Sequence, residues 1–178
     1  MVGVMVVKEQ PVSLTAELPG RTSPFAVSEI RPQVSGIIKA RLFVEGSTVK
    51  AGQALYQIDP APYQASYDSA SATLAAAKVK AERYAKLLGQ NAISPQDADD
   101  ARATYLQAKA NADSARINLN YTRITSPITG RIGASTVTEG ALVTAQQATA
   151  LTTVSTLDPI YVDVDQSSAE LVALRRSV

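Results

Sequence analysis

Two runs of alternating three- and four-residue spacing constrain this chain more than any other feature. In the first, Tyr67, Ala70, Leu74, Ala77, Ala81, Tyr84 and Leu88 recur; in the second, Ala98, Ala101, Tyr105, Ala108, Ala112, Ala115 and Leu119. Alternating 3/4 spacing is the seam of a coiled coil. Alanine fills eight of the fourteen seam positions, so the two backbones can approach closely. Between the runs lies Gly89-Gln90-Asn91-Ala92-Ile93-Ser94-Pro95. Gly89 is expected to stop the first helix. Ser94, Pro95 and Asp97 supply a cap, a first-turn proline and a first-turn acid for the second. A connection this short forces antiparallel neighbours. At 1.5 Å per residue the first helix is about 40 Å long. Two such helices could also join a larger bundle. The sequence has no third long helical pattern for them to pack on, which favours a projecting hairpin.

Composition closes off several function classes. The 178 residues carry a net charge of +1, with no cysteine and no histidine. Disulfides, thiol chemistry, His-ligated metals and Ser-His-Asp or Cys-His catalysis are excluded. A balance this close to neutral gives no field for nucleic acid or a membrane surface. No apolar run is long enough to span a bilayer. Met1-Val2-Gly3 opens directly into strand-like sequence, so export is expected to need a leader that these residues do not supply. Asp59, Asp158 and Asp163 are the available candidates for acid chemistry. None has a second carboxylate at a motif spacing, and turn-capping or solvated roles suit them better.

The flanks of the hairpin read as strands. Residues 4–18 alternate loosely and suggest two short strands, with Pro19-Gly20 as a turn. Residues 25–61 and 121–156 are strand-rich, and they resemble each other. Gly36, Glu45-Gly46, Val49 and Gln53-Ala54 find counterparts in Gly130, Glu139-Gly140, Val143 and Gln147-Ala148 at constant register. Pro32 and Pro127 precede the first glycine of each set. This is an internal repeat, although chance likeness between two glycine-punctuated β segments is the competing explanation. Gly36, Gly46, Gly130 and Gly140 are expected at tight turns or bulges. Residues 157–166 form one expected strand with Ile160, Val162 and Val164 on one face. Its expected partner is residues 11–18. Ser167 or Ser168 then caps a short helix bearing Leu171 and Leu174, and the end reads as the start of a β domain that has been cut.

Several stretches are also recognisable: RPQVSGII (31–38), EGSTVKAGQALYQIDPAPYQASYDSA (45–70), ARINLNYTRITSPITGRIG (115–133), VTEGALV (137–143) and LDPIYVDVDQSS (157–168). They closely resemble the AcrA/MexA-type periplasmic adaptors, the membrane fusion proteins of RND multidrug efflux pumps. The resemblance covers nearly the whole chain, and the hairpin is nearer the MexA-type length. It implies an α+β fold: a lipoyl-like β-sandwich split by an inserted antiparallel coiled-coil hairpin, plus part of a β-barrel domain. The expected divisions are 1–24, N-terminal strands of the membrane-proximal and β-barrel region; 25–61, first lipoyl-like half; 62–120, hairpin; 121–156, second half; and 157–178, start of a truncated β-barrel domain.

The resemblance implies a function without bond chemistry, cofactor or metal. The family bridges an RND inner-membrane transporter and a TolC-like outer-membrane channel in the periplasm, attached to the inner membrane and self-associated as a ring of about six. Its hairpin tip carries an Arg, Leu and Ser set that docks on the channel, matched here by Arg83, Leu87 and Ser94. From the residues alone, Arg83 could equally be a solvated helix residue, Leu87 a seam neighbour and Ser94 only a cap. The chain departs from the family in having no lipidated cysteine, which puts its own anchoring in doubt. Two other functions fit parts of the pattern. One is an adaptor for an ABC-type or type I secretion exporter. The other is a lipoyl or biotinyl carrier domain, although the hairpin replaces the turn that would present the modified lysine.

Overall fold

The computed structural model describes residues 18–165. The strands expected before residue 18 and the short helix expected after Ser167 lie outside them. The described elements are β1 (Gly20–Ile30), β2 (Gly36–Arg41), β3 (Thr48–Val49), β4 (Ala54–Ile58), α1 (Ala61–Gly89), α2 (Pro95–Tyr121), β5 (Arg123–Thr125), β6 (Gly130–Ile132), β7 (Leu142–Val143) and β8 (Thr152–Val164). The strands build two four-stranded antiparallel sheets, ordered β1-β8-β6-β3 and β5-β4-β2-β7. Each sheet takes two strands from before the hairpin and two from after it.

The internal repeat becomes a two-fold relation between the sheets. Exchanging β1 with β5, β2 with β6, β3 with β7 and β4 with β8 converts one strand order into the other. The hydrogen bonds obey the same exchange. Gly46 N donates to Ile132 O at 3.0 Å, and Gly140 N donates to Ile38 O at 2.8 Å. Gly46 and Gly140 both sit in tight turns with left-handed φ, 75° and 87°, a region that a side chain disfavours. Gly36 and Gly130, expected at turns or bulges, instead open strands β2 and β6. At Gly130 the reason is crowding: a Cβ would overlap the carbonyl of Ser155 on the neighbouring β8.

Thirteen buried residues form one core: Ile30, Val34, Ile38, Phe43, Val49, Leu55, Tyr56, Ile58, Ile124, Ile132, Val143, Leu151 and Val154. Both halves contribute, so neither can bury its apolar face alone. No residue of either helix belongs to this cluster; Tyr63 alone of the helices packs against its edge. Tyr56 stands edge-on to Phe43, with ring centroids 5.2 Å apart.

Beyond the sandwich, β1 and β8 continue as a two-stranded ribbon. Gly20 pairs with Val164, Thr22 with Val162 and Pro24 with Ile160. Residues 20–24 therefore pair with this strand; of the expected partner, residues 11–18, all but Leu18 lie outside the described residues, and Gly20 opens a strand where a turn had been expected. The cause is the long ladder that already joins Ala26–Ile30 to Thr152–Thr156, which fixes the register of everything continuing from it. Ile160, Val162 and Val164 are exposed, because the described residues supply no second layer over the ribbon.

The helices follow the seams. Every seam position of α1 and α2 is buried or half-buried, with Ala77, Ala101, Ala108 and Ala112 the most enclosed. β4 and β5 are antiparallel neighbours, so the hairpin stands where a short turn would otherwise join them.

Candidate docking site at the hairpin tip

The tip is built by two complementary helix ends. At the end of α1, Ala92 N donates to Leu87 O and Asn91 N to Leu88 O, both at 3.0 Å. This bond pair is a Schellman motif, and it requires a left-handed residue one place past the cap. Asn91 fills that place with φ 54°. Gly89, expected to stop the helix, is its last residue and has no positive φ. Asparagine enters the left-handed region more readily than most residues other than glycine because its short amide can bond locally, and no seam periodicity marks it.

At the start of α2, Ser94 adopts extended geometry and its Oγ accepts from Asp97 N at 3.1 Å. The same hydroxyl donates to Asp97 Oδ2 at 2.6 Å. Pro95 and Asp97 complete the first turn. Ser94 is thus a cap, and it holds the Asp97 carboxylate against the positive end of the helix.

Arg83 and Leu87 lie one helical turn apart on the same side of α1. Arg83 is exposed and makes no hydrogen bond or ion pair among the described residues. Leu87 is half-buried beside Leu88 of the seam, and its carbonyl receives both Gln90 N and Ala92 N. The tip therefore offers, among the described residues, an unpaired guanidinium, a partly exposed aliphatic side chain and an exposed serine on a well-bonded bend. Such a surface can bind another protein. Among the described residues no group of three or more acidic side chains is placed to hold a metal ion.

At the opposite end, the root fixes the hairpin to the sandwich. Asp59 Oδ1 accepts from Ala61 N, the first residue of α1, at 3.1 Å and pairs with Lys39 Nζ at 3.0 Å. The ammonium of Lys39 and the Ala61 N–H hold the Asp59 carboxyl below its usual range. Tyr63 Oη donates to Ser35 O at 2.7 Å, and Gln57 Nε2 donates to Thr122 O at 3.3 Å. Sequence reasoning placed Asp59 at the opening of the helix but missed Lys39 and Ser35, which come from a strand and a loop distant in the chain.

The fold and tip define a class: a barrel-sandwich hybrid carrying a helical hairpin between its halves. The family described as RND MFP, barrel-sandwich hybrid domain, matches residues 26–155. Multidrug resistance protein MexA of Pseudomonas aeruginosa is 58% identical over 177 residues, covering 99% of this chain and 46% of that protein. Multidrug efflux pump subunit AcrA of Escherichia coli is 56% identical over 191 residues, covering 99% of this chain and 48% of that protein. A MacA-MexA chimeric protein containing the Pseudomonas aeruginosa MexA α-hairpin domain superposes with a TM-score of 0.78 at 39% identity, over 86% of this chain and 56% of that one. The chain belongs to the RND membrane fusion protein family. It spans about half the length of the curated relatives it matches.

Proposed function

We propose that this chain is the sandwich and hairpin of a periplasmic adaptor in a tripartite RND-type multidrug efflux pump. It joins an inner-membrane RND transporter to a TolC-like outer-membrane channel, works as a self-associated ring and catalyses no bond chemistry. The observation that carries the reading is the hairpin itself. It is tied to the sandwich at its root, buries nothing in the sandwich core along its length, and ends in an exposed tip bearing Arg83, Leu87 and Ser94. A rigid arm of this kind reaches a distant partner with its end. The relatives' descriptions, a multidrug efflux pump subunit and a periplasmic linker among them, support the same assignment. Arg83 offers a charge-assisted donor, Leu87 an apolar contact and Ser94 a small hydroxyl that allows close approach.

The test places a photo-crosslinking residue at Ala92, on the tip, and at Val44, exposed on the sandwich. The Ala92 variant is expected to capture an outer-membrane channel in cells, and the Val44 variant is not. Equal capture from both sites, or capture of an inner-membrane protein alone from Ala92, contradicts tip docking.

A further inference from the structure

The hairpin root encloses a cavity that neither the tip nor the sandwich core uses. Its volume is about 770 Å³, within the range of about 300–1,000 Å³ common to small-molecule sites. Five elements meet there. β1 and β5, each the outer strand of its own sheet, supply two sides; the end of β4, the start of α1 and the last turn of α2 supply the rest. The two-fold relation exchanges β1 with β5. The cavity therefore opens where the two halves of the sandwich meet and the hairpin begins.

Its lining divides by chemistry. Ile30 and Ile124, both buried, and Leu119, half-buried, give it an apolar floor, and Tyr121, 40% exposed, adds an aromatic ring. Three charged residues also line it: Glu29, Arg31 and Arg123. Two of these cancel. Arg31 Nε and Nη2 both donate to Glu29 Oε2, at 3.0 and 2.6 Å, and Arg31 Nη1 donates to Gln147 O at 2.9 Å. Arg123 is exposed and has no ion-pair partner among the described residues. One positive charge is therefore left without a counter-charge beside the apolar floor. A neutral apolar ligand would shield Arg123 from water without pairing it. A small inorganic anion would leave the floor wet. A molecule with an apolar body and one anionic group satisfies both.

We propose that this cavity binds an amphipathic organic anion, with its carboxylate or sulfonate on the Arg123 guanidinium and its apolar body over Ile30, Ile124 and Tyr121. The guanidinium supplies charge-assisted, forked hydrogen bonds, and the floor supplies burial. A ligand held there touches the sandwich and both helix ends together. It therefore adds to the Tyr63–Ser35 and Gln57–Thr122 bonds that tie the hairpin to its base. The site lies at the far end of the hairpin from the tip and does not depend on channel docking.

The test titrates two dyes into the full chain and reads their saturable fluorescence. One is anilinonaphthalene sulfonate; the other is phenylnaphthylamine, the same aromatic body without the sulfonate. The exposed apolar side chains of the β1–β8 ribbon are a competing place for either dye, so Val162→Ser serves as the control. The sulfonate should bind more tightly than phenylnaphthylamine. Arg123→Ala should weaken the sulfonate about tenfold, the worth of one hydrogen-bonded charge, and leave phenylnaphthylamine nearly unchanged. Arg123→Lys should recover part of that loss, Tyr121→Ser should weaken both dyes, and Val162→Ser should weaken neither. Melting of each variant is recorded alongside, and because Arg123 and Tyr121 are exposed it should match the parent. Sulfonate affinity indifferent to Arg123→Ala, equal affinity for the two dyes, or a loss in Val162→Ser as large as that in Arg123→Ala overturns the site. Displacement of the dye by inorganic sulfate at the dye's own concentration overturns the amphipathic ligand class.

Discussion

Ser94 shows how much one hydroxyl can do. It accepts from Asp97 N and donates to Asp97 Oδ2, so it caps the helix and orients an acid together. Ser94→Ala should lower hairpin stability by about 1 kcal/mol, read from thermal unfolding by circular dichroism. Asparagine can reproduce both bonds and caps equally well, so Ser94→Asn should melt with the parent. Aspartate would set its carboxylate against that of Asp97 and is the poorer choice. Two further residues respond to pH. Asp59 has its carboxyl held below its usual 3.8 by Lys39 and Ala61 N. The stability it contributes is therefore present above that value and is lost as pH falls through the lower folded one. Asp59→Asn should flatten the acid limb of the stability profile. Tyr56 runs the other way. Burial raises its phenol above 10, against the lowering effect of the Ser135 bond. Stability is whole below pH 10 and declines as pH rises toward the folded value. Tyr56→Phe should remove that alkaline decline and cost about 0.5–1.5 kcal/mol at neutral pH through its lost hydrogen bonds.

At the scale of elements, the hairpin was legible because seam periodicity is a property of neighbouring residues. Fourteen seam positions could be named from spacing, and all are buried or half-buried in the fold. Ala108→Glu would force a carboxylate between two closely packed backbones. It should cost several kcal/mol or splay the helices, visible as an early loss of helical signal. The β elements were less legible. The repeat announced two similar halves, yet which strand pairs with which depends on contacts far apart in sequence, such as Ile30 with Thr152 and Tyr56 with Ile124. The pairing of residues 160–164 with residues 20–24 was not legible for this reason. Gly36 and Gly130 were misread because local sequence shows that a side chain is missing and not what occupies the space. Gly130→Ala tests the occupant: its Cβ would overlap the Ser155 carbonyl, and a loss of about 1–3 kcal/mol is expected in the denaturation midpoint. The tip set Arg83, Leu87 and Ser94 came from the family resemblance and not from any spacing rule. The Asn91 stop had no periodic signal at all.

For the whole molecule, the design is a closed sandwich that carries a lever. The core uses both halves and neither helix, while the root bonds of Asp59, Tyr63 and Gln57 tie the lever to it. β4 and β5 already pair as antiparallel neighbours. Replacing residues 64–117 by a short glycine-rich turn should therefore leave a folded sandwich with dispersed amide resonances, since loop length affects stability only weakly. An unfolded product would mean that the helices share the core. The central claim is that the far end of this lever binds an outer-membrane channel through side chains whose role in docking can be separated from their role in folding. The most direct measurement is the affinity of the purified channel for the full-length adaptor carrying Arg83→Asp or Ser94→Asn, with hairpin melting recorded on the same samples. The account predicts melting within about a degree of the parent and channel affinity weakened at least tenfold for Arg83→Asp, with a smaller loss for Ser94→Asn. Parental affinity for both variants at unchanged melting would contradict it.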